Sequence, residues 1–153
     1  MNNTIYRHYG NSGFDEQKFV PVKNRPFDRK PLGCFWACPK DSENSWEEYC
    51  LSNGYQLEKL EEHFDFQLEE TARVLEIKTG YDLRNLPNKY FISNSEVPLI
   101  CDLKYLLDFE KIATDYDALY VEINGSNSLY WDIYGWDVDT LCIFNPNVIK
   151  SIE

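Results

Sequence analysis

The chain alternates, breaks and alternates again, and the spacing of its apolar positions predicts short elements throughout. "NTIYRHYG" sets Ile5, Arg7 and Tyr9 against Thr4, Tyr6 and His8, a strand that Gly10 ends. Residues 11–32 carry three prolines and a glycine and read as one long ordered loop, the kind of segment that is usually functional in a compact domain. "CFWAC" reads as a buried strand stopped by Pro39. A helix is predicted over "SENSWEEYCLSN", capped by Asp41 or Ser42, with Trp46, Tyr49 and Cys50 at i, i+3 and i+4 on its inward face. A short helix follows in "QLEKLEEHF", then strands at 64–68 and in "ARVLEIK", then a turn with a short helix in "TGYDLRNLP" closed by Pro87.

Residues 88–102 read as irregular. In "LKYLLDFEKIATDY", Leu103, Leu106, Leu107, Ile112 and Ala113 fall at near-helical spacing, and "DALYVEI" follows as a buried strand. "NGSNSLYWDIYGW" reads as a turn into a short aromatic helix, "DTLCIFN" as a strand, and "VIKSIE" as a terminal strand. The expectation is an α+β fold in one domain over residues 1–153, with a curved mixed or antiparallel sheet of about six to eight short strands and two to four helices.

Charge narrows the partners. Twenty-six acidic against fifteen basic residues give a formal net charge of −11, which disfavours a broad phosphate-binding surface and hence nucleic acid. The first residues, "MNNTIYRHYG", contain no apolar core of a signal peptide, and no apolar run approaches the ~18 residues of a membrane span, so a cytoplasmic protein without a membrane partner is expected.

Five cysteines without an export signal are expected to stay reduced. Cys34 and Cys38 are spaced C-x3-C, yet only two histidines and no second cysteine pair are present to complete a four-ligand zinc site, so no metal is expected. No C-x-x-C, P-loop, G-x-G-x-x-G, H-E-x-x-H or G-x-S-x-G occurs. Asp137 and Asp139 lie two apart where a loop enters a strand, a pattern that suits either a turn or a carboxylate aimed into a pocket. Aromatic residues make up 16% of the chain, and those around Tyr6, Tyr9, Phe35, Trp36, Trp131, Tyr134 and Trp136 can build a core or stack on a flat ring.

Three segments, in order, resemble the ADP-ribosyltransferase fold. "GCFWAC" with the serine-rich helix start after it resembles the strand of poly(ADP-ribose) polymerase-like enzymes whose aromatic stacks on nicotinamide. The resemblance gives that role to Phe35, with Trp36 and Ser42 nearby. "IYRHYG" resembles the family's opening strand, which carries a His or Arg gripping the NAD ribose or phosphate; Arg7 and His8 compete for it, with the backbone from His8 through Tyr9 to Gly10 set to bind the nicotinamide amide. "DVDTLCIFN" resembles the last motif, with Asp139 as the ribose-binding carboxylate and Asp137 two residues earlier, as in the family's Q/E-x-E pattern.

"YDALYVEI" is also similar to a strand of these transferases, and aspartate stands where they usually carry glutamate. The resemblance implies an NAD-dependent ADP-ribosyltransferase of small bacterial or phage type, acting on a protein target. Asp139 would be catalytic, with Lys23 or Arg25 as further candidates for the pyrophosphate. The competing expectation is a non-catalytic acidic binder: a phage counter-defence inhibitor, or a degenerate NAD-binding fold.

Overall fold

The computed structural model describes residues 3–25, 30–43, 45–92, 106–123, 129, 136 and 138–152. Its elements follow the punctuation of the chain. β1 (Tyr6–Tyr9) ends at Gly10, whose φ of +100° is open to glycine and strained for other residues. β2 is Phe35–Pro39, β3 His63–Leu68, β4 Val74–Ile77, β5 Ala118–Val121, β6 Thr140–Ile143 and β7 Ile149–Ser151. They form one seven-stranded sheet in the order β4-β5-β6-β2-β1-β3-β7. β4 and β5 run parallel and every other neighbour antiparallel, so the sheet is mixed. With three α-helices among the described residues, this is the expected small α+β domain.

Each of these three helices is opened by a side chain that accepts an otherwise unpaired backbone N–H. Ser45 caps α1 (Trp46–Asn53) by accepting from Glu48 N, and Gly54, at φ +63°, ends it. The expected caps, Asp41 and Ser42, are displaced to Ser45 because Ser42 donates its hydroxyl to Asp139 instead. Thr79 caps α2 (Gly80–Arg84) and Asp108 caps α3 (Phe109–Asp115). The apolar periodicity expected to open α3 near residue 103 overstates it. Leu107 bridges to Phe91 and the Leu106 carbonyl accepts from Ile92 N, so both leucines belong to a short strand-like pairing before the cap.

β5 and β6 are buried along all four residues, which explains why Thr140 is the one polar side chain besides the Tyr120 hydroxyl in either: both faces of the sheet are covered there. On one face Ile77, Leu119, Val121 and Cys142 pack under Leu83, Phe109, Ile112 and Trp136, so α2 and α3 form the lid of this core. On the other face Tyr6, Ala37, Phe66, Leu141, Ile143 and Val148 form a second core. Each fully buried aliphatic side chain in these layers contributes roughly 1.5–3 kcal/mol. Because β-strand side chains alternate, Trp36 joins the first core and its neighbour Phe35 the second.

Candidate functional site

A cleft of about 300 Å³ opens where β1, β2 and β6 lie side by side. Arg7, His8 and Tyr9 come from β1, Trp36, Ala37 and Cys38 from β2, Thr140 from the start of β6 with Val138 just before it, and Trp46 from α1, while Lys30 enters from the loop before β2. The register explains the grouping. Arg7 faces Cys38 across the β1–β2 pair and Trp36 faces Cys142 across the β2–β6 pair, so these side chains share one face of the sheet.

Two indoles wall the cleft. The Trp36 Nε1 donates to the Gly33 carbonyl at 2.9 Å, which fixes its ring plane. Trp46 donates its backbone N–H to Cys38 Sγ at 3.3 Å and stacks on Tyr49. Burial pushes the Cys38 thiol up to about 12, against a smaller lowering by that N–H contact, so Cys38 is a neutral apolar wall and no nucleophile.

The polar floor is a chain of paired groups. Arg7 donates from Nε and Nη2 to the two Asp65 oxygens at 2.7 and 3.0 Å, and Lys40 approaches the same carboxylate at 3.4 Å. The hydrogen bond to Asp65 holds the Arg7 guanidinium charged, and Arg7 in turn holds the Asp65 carboxyl below the usual carboxylate range. Tyr9 donates its hydroxyl to Glu47 of α1 at 3.0 Å; burial, then this carboxylate, raises the phenol's pKa and keeps it protonated.

His8 sits under this floor with its ring on the opposite face. Its imidazole stacks on Phe35 at 4.1 Å, and Nδ1 lies 2.6 Å from the Trp36 carbonyl. A carbonyl only accepts, so Nδ1 carries the proton; Nε2 is then the acceptor for the Asn11 side-chain amide at 3.1 Å. Burial outweighs the Trp36 contact and lowers the His8 pKa. Neutral His8 is thus a strut between β1 and β2.

Phe35, given the stacking role by resemblance, packs among His8, Phe14, Phe64 and Phe66; of the two adjacent aromatics of β2, Trp36 is the one that borders the cleft. The Gly10 N–H is taken by the Glu62 carbonyl at 2.7 Å. Lys23 pairs its backbone with Leu32, and Asn24 is bonded to Asp108, Phe109 and Glu110 of α3. That stretch is thereby tied to α3, and Lys30 is the lysine that borders the cleft.

Asp139 lies between Val138 and Thr140, two residues of the cleft wall, but its own carboxylate turns to the other side of the sheet. Oδ2 accepts from Ser42 Oγ at 2.7 Å and Oδ1 from Ile123 N at 2.8 Å, and only 3% of the residue is exposed. The expected union of Ser42 and Asp139 is therefore present. Phe35 is not part of it, because it pairs with Ile143 at the far end of β6. Asp137, Trp131 and Tyr134 lie outside the described residues.

That Lys30, Cys38, Trp46 and Thr140 line a cleft was not legible in the sequence, where Cys38 read only as half of a C-x3-C pair and Trp46 only as the inward face of a helix, because nothing local distinguishes a cleft-lining side chain. Asp117 also escaped the sequence reading as a site residue. It is a buried staple, accepting from Arg73 N and Asn145 Nδ2. Among the described residues no cluster of three or more His, Cys, Asp or Glu could hold a metal, and no helix is long and apolar enough to cross a membrane. Comparison with family models, curated proteins and solved structures finds no match to the chain.

Proposed function

We propose that the cleft receives the nicotinamide end of NAD and that the chain is an ADP-ribosyltransferase acting on a protein. The observation that carries this reading is convergence. The segments around residues 7, 36 and 139, far apart in sequence and each resembling one transferase motif, lie on the adjacent strands β1, β2 and β6 and border one cleft.

The residues fit the ligand in kind. At about 300 Å³ the cleft is at the small end of ligand sites, enough for a nicotinamide ring and its ribose, with the rest of the dinucleotide along the rim. Trp36 and Trp46 provide apolar walls for the flat ring, and Trp36 takes the stacking role first given to Phe35. Lys30 brings positive charge to the cleft, and Arg7, its charge matched by Asp65, brings a fixed guanidinium. Bound NAD supplies a glycosidic bond whose cleavage builds positive charge on the ribose. The protein's part is to exclude water, hold the ring and present a preoriented carboxylate. Asp139 is the carboxylate that the resemblance assigns to this role; it borders the cleft through its neighbours Val138 and Thr140, while its own side chain lies on the other side of the sheet, bonded to Ser42 and Ile123.

A second reading, NAD binding without turnover, is favoured by one observation: both Asp139 oxygens already accept hydrogen bonds. Titration calorimetry with NAD on the wild type and on Trp36→Ala, together with nicotinamide release from labelled NAD, separates the two. The transferase reading expects binding weakened about tenfold or more in Trp36→Ala, the scale of a lost aromatic anchor, and release abolished in Asp139→Asn. Binding with no release in the wild type selects the second reading; no binding of NAD overturns both.

A further inference from the structure

Beside the cleft, the protein exposes apolar side chains that its fold does not use. Leu51, Tyr55 and Leu57 are 56, 48 and 45% exposed, and they fall within one short stretch running from the end of α1 into the turn Leu57–Leu60. Of the apolar residues of α1, Cys50 is fully buried, Trp46 and Tyr49 are half-buried and Leu51 is exposed.

Tyr55 links this stretch to the cleft. Trp46, a cleft wall, stacks on Tyr49 at 5.4 Å and meets Tyr55 edge-on at 6.0 Å. The backbone is shaped to keep it so. Gly54 and Gln56 both adopt left-handed conformations, at φ +63° and +49°, and return Tyr55 over Trp46, where Gln56 Nε2 bonds the Tyr55 hydroxyl at 3.1 Å. The surrounding charge has one sign: residues 46–62 contain five glutamates and one lysine. Glu47 and Glu48 lie one turn before Leu51 on the helix, and Glu58 adjoins Leu57.

We propose that this aromatic and leucine patch is the docking surface for the acceptor protein, and that it takes a basic segment carrying apolar anchors. The proposal rests on the transfer reading, since an acceptor must be held at the cleft mouth. The composition also matches a protein interface, with an aromatic centre and a charged rim that selects partners of opposite sign.

The test uses a labelled amphipathic leucine–lysine helical peptide and its leucine–glutamate counterpart, with affinity read by fluorescence anisotropy at several salt concentrations. The lysine peptide is expected to bind and the glutamate peptide not. Leu51→Ser combined with Leu57→Ser is expected to weaken binding about tenfold, and Glu58→Gln with Glu61→Gln to flatten its salt dependence. Because these side chains are exposed, both variants are expected to keep the wild-type melting temperature and NAD affinity. Equal peptide affinity in the leucine variant, or no binding of the lysine peptide by the wild type, overturns the proposal. A wild-type dimer in sedimentation velocity that the leucine variant dissolves also overturns it, by making a second copy the occupant. Peptide binding without NAD binding keeps the surface and removes the transfer reading; NAD binding without peptide binding does the reverse.

Discussion

Replacing Asp139 tests whether its first duty is to the fold. Asp139→Ala takes the acceptor from two donors, the Ile123 backbone N–H and the Ser42 hydroxyl. Ile123 is itself buried, at 6% exposure, so its N–H has little access to water. A buried donor left unpaired costs about 1–3 kcal/mol, whereas the half-buried Ser42 hydroxyl can turn toward solvent at smaller cost. The expected loss for alanine is about 3 kcal/mol, or roughly 6–12 °C in melting temperature for a domain of this size. Asp139→Asn keeps an oxygen for Ile123 N and gives Ser42 an amide N–H to accept, so its expected loss is about 1 kcal/mol. Urea unfolding with an unchanged slope measures both. An alanine variant within about 0.5 kcal/mol of wild type, or an asparagine variant as damaged as the alanine one, refutes the staple. Because of this double role, loss of turnover is interpretable in the asparagine variant and not in the alanine one.

His8 makes stability depend on pH with a definite sign. Its folded pKa lies below its unfolded value, so the unfolded chain binds more protons between the two. Stability is therefore full above about 6.5 and falls as pH drops toward the folded value. The urea midpoint is expected to decline from about pH 7.5 to about pH 5, and His8→Gln, which cannot titrate, to flatten that decline; identical profiles would remove His8 as the cause. Two glycines are expected to differ. A Cβ on Gly33 (φ +75°) would sit 2.3 Å from the Pro21 carbonyl oxygen, whereas one on Gly10 (φ +100°) meets nothing within 4 Å. Gly10→Ala is expected to cost about 1 kcal/mol of backbone strain and Gly33→Ala clearly more, with parity in denaturant midpoints contradicting the collision.

Much of the fold was legible because its elements are short and locally punctuated. Gly10, Pro39, Pro87 and Pro146 end or delimit runs of clear apolar spacing; β5 and β6 fall inside the stretches that predict them, and β2 runs one residue past its stretch, to take in Pro39. Failures came where two local readings share one pattern. Ser42 and Ser45 are equally good caps in isolation, and a tertiary contact with Asp139 decides between them. Leu106 and Leu107 fit a helical stripe as well as they fit a strand-like bridge. The parallel pairing of β4 with β5 left no mark on either strand.

The candidate site was legible as three segments and illegible as a set of atoms. Nothing in "CFWAC" says which of two adjacent aromatics meets the cleft, since one residue of register exchanges the faces of the sheet. Nor does "DVDTL" say that the Asp139 carboxylate is tied down by an amide sixteen residues upstream.

The β1–β2 pairing consists of two facing residue pairs, Tyr6 with Pro39 and Arg7 with Cys38, and beyond them the His8 imidazole takes up the Trp36 carbonyl. The sheet thus has a seam in its middle, narrower than the joints on either side, and the cleft lies along it. An occupant of the cleft would touch β1 on one bank and β2 with β6 on the other, acting as a rivet between two half-sheets. Occupancy and cohesion of the sheet are then thermodynamically linked: whatever fills the cleft resists the parting of the halves by a free energy that grows with the logarithm of its concentration over its dissociation constant.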